Sequence, residues 1–221
     1  DISSVLKENK KIGEIILECR ENLSLVSGGS GFSELSELDT REVLKLANEL
    51  ETCEDDFDIV LVDLSAGIHP QVMRFLGAAH EVILVTTPDV TALLDAYATI
   101  KSMANTAEHV STKIIINRAK DRKEAVLAFK KIQVVTARHL PLVTANFFGW
   151  IPHNWYVQDS VAQRRPVVEL YPKSFVSEEL RTIAKRIKSG FSHWSQKNVS
   201  GEISKDVIAT FSARLKQSMF E

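Results

Sequence analysis

The chain has 221 residues, 44% of them apolar, 7% aromatic and 25% charged, a globular composition that excludes disordered, collagen-like and low-complexity classes. Its net charge of −2 argues against a dedicated nucleic-acid binder, and its apolar runs are only strand-length, so no transmembrane helix is expected. The charge is polarised: residues 1–63 carry 6 basic and 16 acidic side chains, residues 164–221 carry 11 basic and 6 acidic, which suggests that the two ends face different partners.

The opening Asp1-Ile2-Ser3-Ser4-Val5 lacks the basic-then-apolar order of a signal peptide. Two cysteines, Cys19 and Cys53, and six scattered histidines offer neither a disulfide framework nor a metal site. A reducing, cytoplasmic setting is expected. Along the chain, Leu23 to Val26 is short and apolar, and Ser27-Gly28-Gly29-Ser30-Gly31 then breaks it. Asp39-Thr40 caps a helical pattern bearing Val43, Leu44, Ala47 and Leu50. Phe57 to Val62 reads as a strand ending in Asp63, and Pro70 opens a helix to Ala79. Val82 to Thr87, Thr112 to Ile116 and Ala145 to Ile151 read as further strands. Helices from Asp89 or Thr91 to Ala107, and from Asp121 to His139, separate them.

Strands without polar alternation are buried on both faces, as in parallel sheets with crossover helices. The expected fold is therefore α/β, three-layer and doubly wound, with a mostly parallel sheet. In such folds ligands sit beyond the carboxyl ends of the strands. That rule singles out Asp63 to Gly67, Thr86 to Pro88, Asn117-Arg118 and Pro152 to Asn154.

Asp63, at the mouth of an apolar run, is well placed to hold Mg²⁺ beside a phosphate, or else to cap the next helix. Gly67 lets the following loop bring a backbone amide toward a ligand. Asn117 can pair with an adenine edge and Arg118 can stack on a base; the plainer reading is a turn with a solvated arginine. Gly28 to Gly31 lacks a Gly-Lys-Ser/Thr ending and fits a tight turn better than a phosphate cradle. A receiver domain would use Asp63 as phospho-acceptor with Thr86 or Thr87. It needs an earlier acidic pair and a later strand-end lysine, whereas Lys113 opens its strand.

The run Phe57-Asp58-Ile59-Val60-Leu61-Val62-Asp63-Leu64-Ser65-Ala66-Gly67-Ile68, followed by Glu81-Val82-Ile83-Leu84-Val85-Thr86-Thr87-Pro88, resembles the MinD/ParA family of deviant-Walker ATPases. With Asp95-Ala96-Tyr97, Asn117-Arg118, Ile151-Pro152, Arg165-Pro166-Val167 and Tyr171-Pro172-Lys173-Ser174, it is most similar to the family's flagellar-number regulators. The resemblance covers about Asp1 to Ile187. It implies a P-loop NTPase fold binding ATP or ADP with Mg²⁺. Asp63 would be the Walker B acid and metal site, and Ser65-Ala66-Gly67 would belong to the second switch. Asn117, Arg118 and the loop of Pro152 and His153 would lie at adenine; His69 has no role.

Family members open with a strand, a Gly-Lys-rich phosphate loop, a helix and a first switch bearing the catalytic Asp. The sequence holds none of these, so the P-loop strand and helix are expected to be missing and no catalytic residue is assigned. The resemblance implies an ATP-dependent dimerisation switch for the placement or number of flagella, in a form expected neither to bind nor to hydrolyse ATP. The alternative is a naturally loop-less pseudo-ATPase that acts as a scaffold. Because the loop-bearing strand is central in this family, a gap, a rearranged sheet or a donated strand is expected.

Expected partners are a second copy and flagellar assembly proteins such as an SRP-type GTPase, without direct nucleic acid. The expected divisions are an ATPase domain over 1–189, a linker over 190–201 and an amphipathic helix over 202–221. In the tail, Ile203, Val207, Ile208, Phe211, Leu215 and Met219 share one helical face, with Lys205, Arg214 and Lys216 off it. Such a helix can lie on an anionic membrane, at the inner face of the cell membrane, or pack on protein.

Overall fold

The computed structural model describes residues 1–28, 38–53, 56–64, 66–105, 110–197 and 211–219. The chain forms two compact units, residues 1–80 with 206–221, and residues 81–205.

In the first unit, helix α1 (Ile2–Glu8) starts at Asp1, whose carboxylate accepts the Ser4 N–H at 3.1 Å. An antiparallel hairpin follows, β1 (Leu17–Arg20) against β2 (Leu23–Leu25). Helix α2 (Thr40–Glu51) begins with a reciprocal capping box. Asp39 accepts the Glu42 N–H at 2.8 Å, and Glu42 accepts the Asp39 N–H at 3.0 Å. Helix α3 (Pro70–Ala78) carries proline in its first turn, where the missing N–H costs nothing.

The second unit alternates strand and helix: β3 (Val82–Thr86), α4 (Val90–Ala104), β4 (Val110–Ala119), α5 (Arg122–His139) and β5 (Val143–Pro152). The strands pair in parallel in the order β3-β4-β5. Val82 lies opposite Thr112, and Ala119 opposite Pro152. Ile114, Ile115 and Ile116 are all buried, as a central parallel strand requires. Leu93, Ala96 and Ile100 of α4 share a core with Ala125, Ala128, Phe129 and Ile132 of α5. Helices α6 (Trp155–Ala162), α7 (Val167–Leu170) and α8 (Phe175–Lys197) complete the unit. Helix α8 packs on β5, with Ile183 against Gly149 and Arg186 donating to the Phe148 carbonyl.

The last helix, α9 (Phe211–Gln217), belongs to the first unit and packs on α2 and α3. Leu215 is fully buried and Met219 nearly so, in one core with Val43, Leu46 and Phe75. The Phe75 and Phe211 rings lie 6.0 Å apart. Of the two seats expected for the tail stripe, the described part takes the protein one; residues 202–210 lie outside the described residues.

The α/β class and its parallel sheet are as expected, but three details are corrected. Phe57 to Val62 forms no strand: Val60, Leu61 and Val62 are exposed. Its β-branched content favours an extended backbone, but only a neighbouring strand makes a ladder. The segment Leu23 to Leu25 is a strand, yet its partner is antiparallel and its side chains are exposed. Helix α8 runs on to Lys197, through the first part of the expected linker. One glycine costs a helix only about 1 kcal/mol, so Gly190 does not end it.

Candidate functional site

The carboxyl ends of β4 and β5 are held side by side. The His153 N–H donates to the Ala119 carbonyl at 2.8 Å, one step beyond the Ala119–Pro152 pairing. Asn117, Arg118, Pro152 and His153 thus share one rim of the sheet. Arg118 adopts φ 58°, and its N–H donates to the Asn117 side-chain oxygen at 2.8 Å. A short polar side chain that bonds the next backbone amide makes such a turn accessible to a non-glycine residue. That bond fixes the Asn117 amide, while Arg118 and His153 stay exposed.

Around this rim the helix starts are firmly capped. Asp121 accepts the Glu124 N–H at 2.9 Å, and Asn154 accepts the Tyr156 N–H at 2.9 Å. At the end of β3, the Thr86 hydroxyl donates to the Ala92 carbonyl at 2.9 Å, so its side chain is committed to helix α4.

Asp63 and Gly67 sit in the first unit, in the loop ahead of α3. Asp63 is exposed, and Gly67 has φ 134°, a conformation that side chains rarely adopt. Ser65 and Gly29 to Gly31 lie outside the described residues. Among the described residues, no group of three His, Cys, Asp or Glu could hold a metal ion.

Strand-end reasoning missed an aromatic group beside the rim. The Tyr156 ring centroid lies 4.2 Å from that of Tyr171 and 4.5 Å from that of Trp155. The adjacent Trp155-Tyr156 pair was the available signal; the fold, not local spacing, adds Tyr171. Tyr171 donates its hydroxyl proton to Asp159, which also accepts from Gln163 Nε2 at 2.7 Å. The hydrogen bond to Asp159 holds the Tyr171 phenol above its usual range, with burial and the carboxylate's charge acting the same way. A group whose pKa is raised on folding contributes stability that is full below its ordinary value and lost as pH rises through the higher one. Tyr171 should therefore contribute a late component to an ultraviolet titration, and Tyr171→Phe should remove it. A titration left unchanged at its alkaline end by Tyr171→Phe would contradict the bond.

No family model matches the chain. Antiactivator FleN of Pseudomonas aeruginosa is 28% identical over 188 residues, covering 85% of this chain and 67% of that protein. Flagellum site-determining protein YlxH of Helicobacter pylori is 28% identical over 184 residues, covering 83% of this chain and 62% of that protein. The septum site-determining protein MinD of Pyrococcus horikoshii, solved with Mg-ADP, superposes with a TM-score of 0.61 at 17% identity. That match covers 91% of this chain and 76% of the solved one. In sequence and in fold the chain resembles the MinD/ParA ATPases.

Its sequence is similar to FleN and YlxH, and it spans about two thirds of their length or less. The structural likeness fits the parallel sheet with flanking helices to the P-loop NTPase type. No helix among the described residues is long and apolar enough to cross a membrane.

Proposed function

We propose that the chain is part of an ATP-dependent dimerisation switch of the MinD/ParA type that regulates the placement or number of flagella. The observation that carries this reading is the rim at the ends of β4 and β5, where Asn117 and Arg118 stand beside Pro152 and His153. A pre-positioned amide, an exposed guanidinium and a fixed loop suit the polar edge and the flat face of adenine. In support, YlxH is by name flagellum site-determining and the solved MinD holds Mg-ADP.

The phosphate end fits less well. The sequence contains no Gly-Lys-Ser/Thr loop, and Asp63 belongs to no group of three His, Cys, Asp or Glu among the described residues that could hold a metal ion. In this proposal Asp63 faces Mg²⁺ and Gly67 belongs to the second switch only when a phosphate loop is also supplied. Residues 1–221 alone neither bind ATP tightly nor hydrolyse it. A second copy and an SRP-type GTPase are the proposed partners. Membrane docking of the tail would require Leu215 and Met219 to leave their core.

The test is adenine recognition in a chain that carries a phosphate loop. Asn117→Ala should weaken ATP and ADP binding about tenfold, the size expected for a lost hydrogen-bonded edge. Calorimetry that finds unchanged affinity for both nucleotides would contradict the adenine assignment.

A further inference from the structure

Helix α5 presents a second apolar stripe on the side away from its own core. Ala125, Ala128, Phe129, Ile132 and Thr136 are buried. On the opposite side Lys123, Leu127, Lys131, Val134 and Arg138 follow one another at helical spacing, and all five are exposed. Leu127 is 60% exposed and Val134 66%; Val135, at 39%, lies alongside. A surface helix needs one apolar face for its own core, and single exposed aliphatics are ordinary. Aliphatics that recur in register on the solvent side call for a partner.

The charge on this stripe is of one sign. The acids of the helix start are used locally: Asp121 caps the Glu124 N–H, and Glu124 accepts the Lys120 N–H at 2.6 Å. Residues 125–142 contain no Asp or Glu. Among the described residues, none of Lys123, Lys130, Lys131 and Arg138 forms an ion pair. This cationic line stands out on a chain whose net charge is −2.

The geometry points to a docking site for an acidic amphipathic helix of a partner protein. The spacing Leu127–Lys131–Val134–Arg138 places apolar and cationic positions alternately along one seam. A partner helix with apolar residues at three- and four-residue intervals and acids between them matches both features. A lipid surface would instead favour a continuous apolar face with its cations at the margins. Phosphate backbones would gain nothing from the intervening aliphatics.

The test is fluorescence anisotropy of a labelled synthetic peptide, about three heptads of Leu and Glu in amphipathic register, titrated with the full chain at low salt. Saturable binding is expected. Both Lys131→Glu with Arg138→Glu and Leu127→Ser with Val134→Ser should weaken it at least about tenfold, while their thermal transitions stay unchanged. Those positions are exposed, so the variants should fold. A scrambled peptide of the same composition should not compete. Failure of the ordered peptide to bind would overturn the assignment, as would equal binding of the scrambled one. It would also fall if phosphatidylglycerol vesicles pelleted the chain through these same residues while the peptide did not bind.

Discussion

Gly149→Val should unfold the sheet unit at markedly lower urea than the parent chain. A Cβ at Gly149 would lie 2.7 Å from Ile183 Cγ1 and 3.1 Å from its Cδ1. The first distance is shorter than real side-chain contacts, and valine adds two further carbons. Something must shift, and the backbones are tied: β5 is hydrogen-bonded into the ladder beside β4, and Arg186 holds the Phe148 carbonyl from α8. Overpacking of this kind costs about 1–3 kcal/mol, occasionally more, against a typical total of about 5–15 kcal/mol. Ile183→Ala combined with Gly149→Ala should recover part of what Gly149→Ala alone loses, because the clash is pairwise. Strictly additive losses in the double variant would show that α8 does not press on β5 at this point.

Leu215→Ala should destabilise the first unit by about 2–5 kcal/mol, the usual range for emptying a fully buried leucine site. Leu215 has no exposed surface and shares its core with Val43, Leu46 and Phe75. The nearby ion pair offers a contrast. Lys216 meets Glu51 at 2.6 Å, but the Glu51 side chain is more than half exposed. Such a pair is worth about 0–1 kcal/mol, so Lys216→Ala should barely move the transition. Thermal unfolding of the two variants side by side separates the possibilities. If α9 spent its time on a membrane or free in solvent, Leu215→Ala would cost no more than Lys216→Ala.

Much of the fold was legible because local chemistry and tertiary structure agree. Asp39-Thr40 marks the start of α2 ahead of its apolar pattern, and Asp121 marks the start of α5. The runs Val82 to Thr86 and Thr112 to Ile116 are too short and too β-branched for helices, and both are strands. What escaped depends on partners distant in sequence. Phe57 to Val62 has the composition of a buried strand, yet a ladder needs a neighbour, and Leu61 is 75% exposed. Strand β1 is the local exception: Leu17 and Cys19 alternate with Glu18 and Arg20, but all four are exposed, and its hairpin to β2 passes through Asn22 at φ 59°.

The candidate site divides along the same line. The strand-end rule picks out Asn117, Arg118, Pro152 and His153, and the parallel pairing of β4 with β5 brings these four to one rim. The aromatic group of Trp155, Tyr156 and Tyr171 was invisible to that rule, since Tyr171 is brought in by the turn after α7. The outward stripe on α5 shows the reverse case. Its spacing was readable, but only the burial of Ala125, Phe129 and Ile132 reveals that Leu127 and Val134 lie on the solvent side.

Residues 1–221 are proposed to supply the adenine side of a nucleotide site of the MinD/ParA type without its phosphate cradle. Backbone amides and a lysine normally neutralise the phosphates of a bound nucleotide, and the sequence offers no loop that would do so. Calorimetry of ATP with Mg²⁺ should be run on residues 1–221 beside a longer chain that supplies a Gly-Lys phosphate loop ahead of Asp1. The account predicts binding by the longer chain alone, with Asp63→Ala weakening its Mg²⁺-dependent affinity. Tight ATP binding of equal strength by residues 1–221 would contradict it.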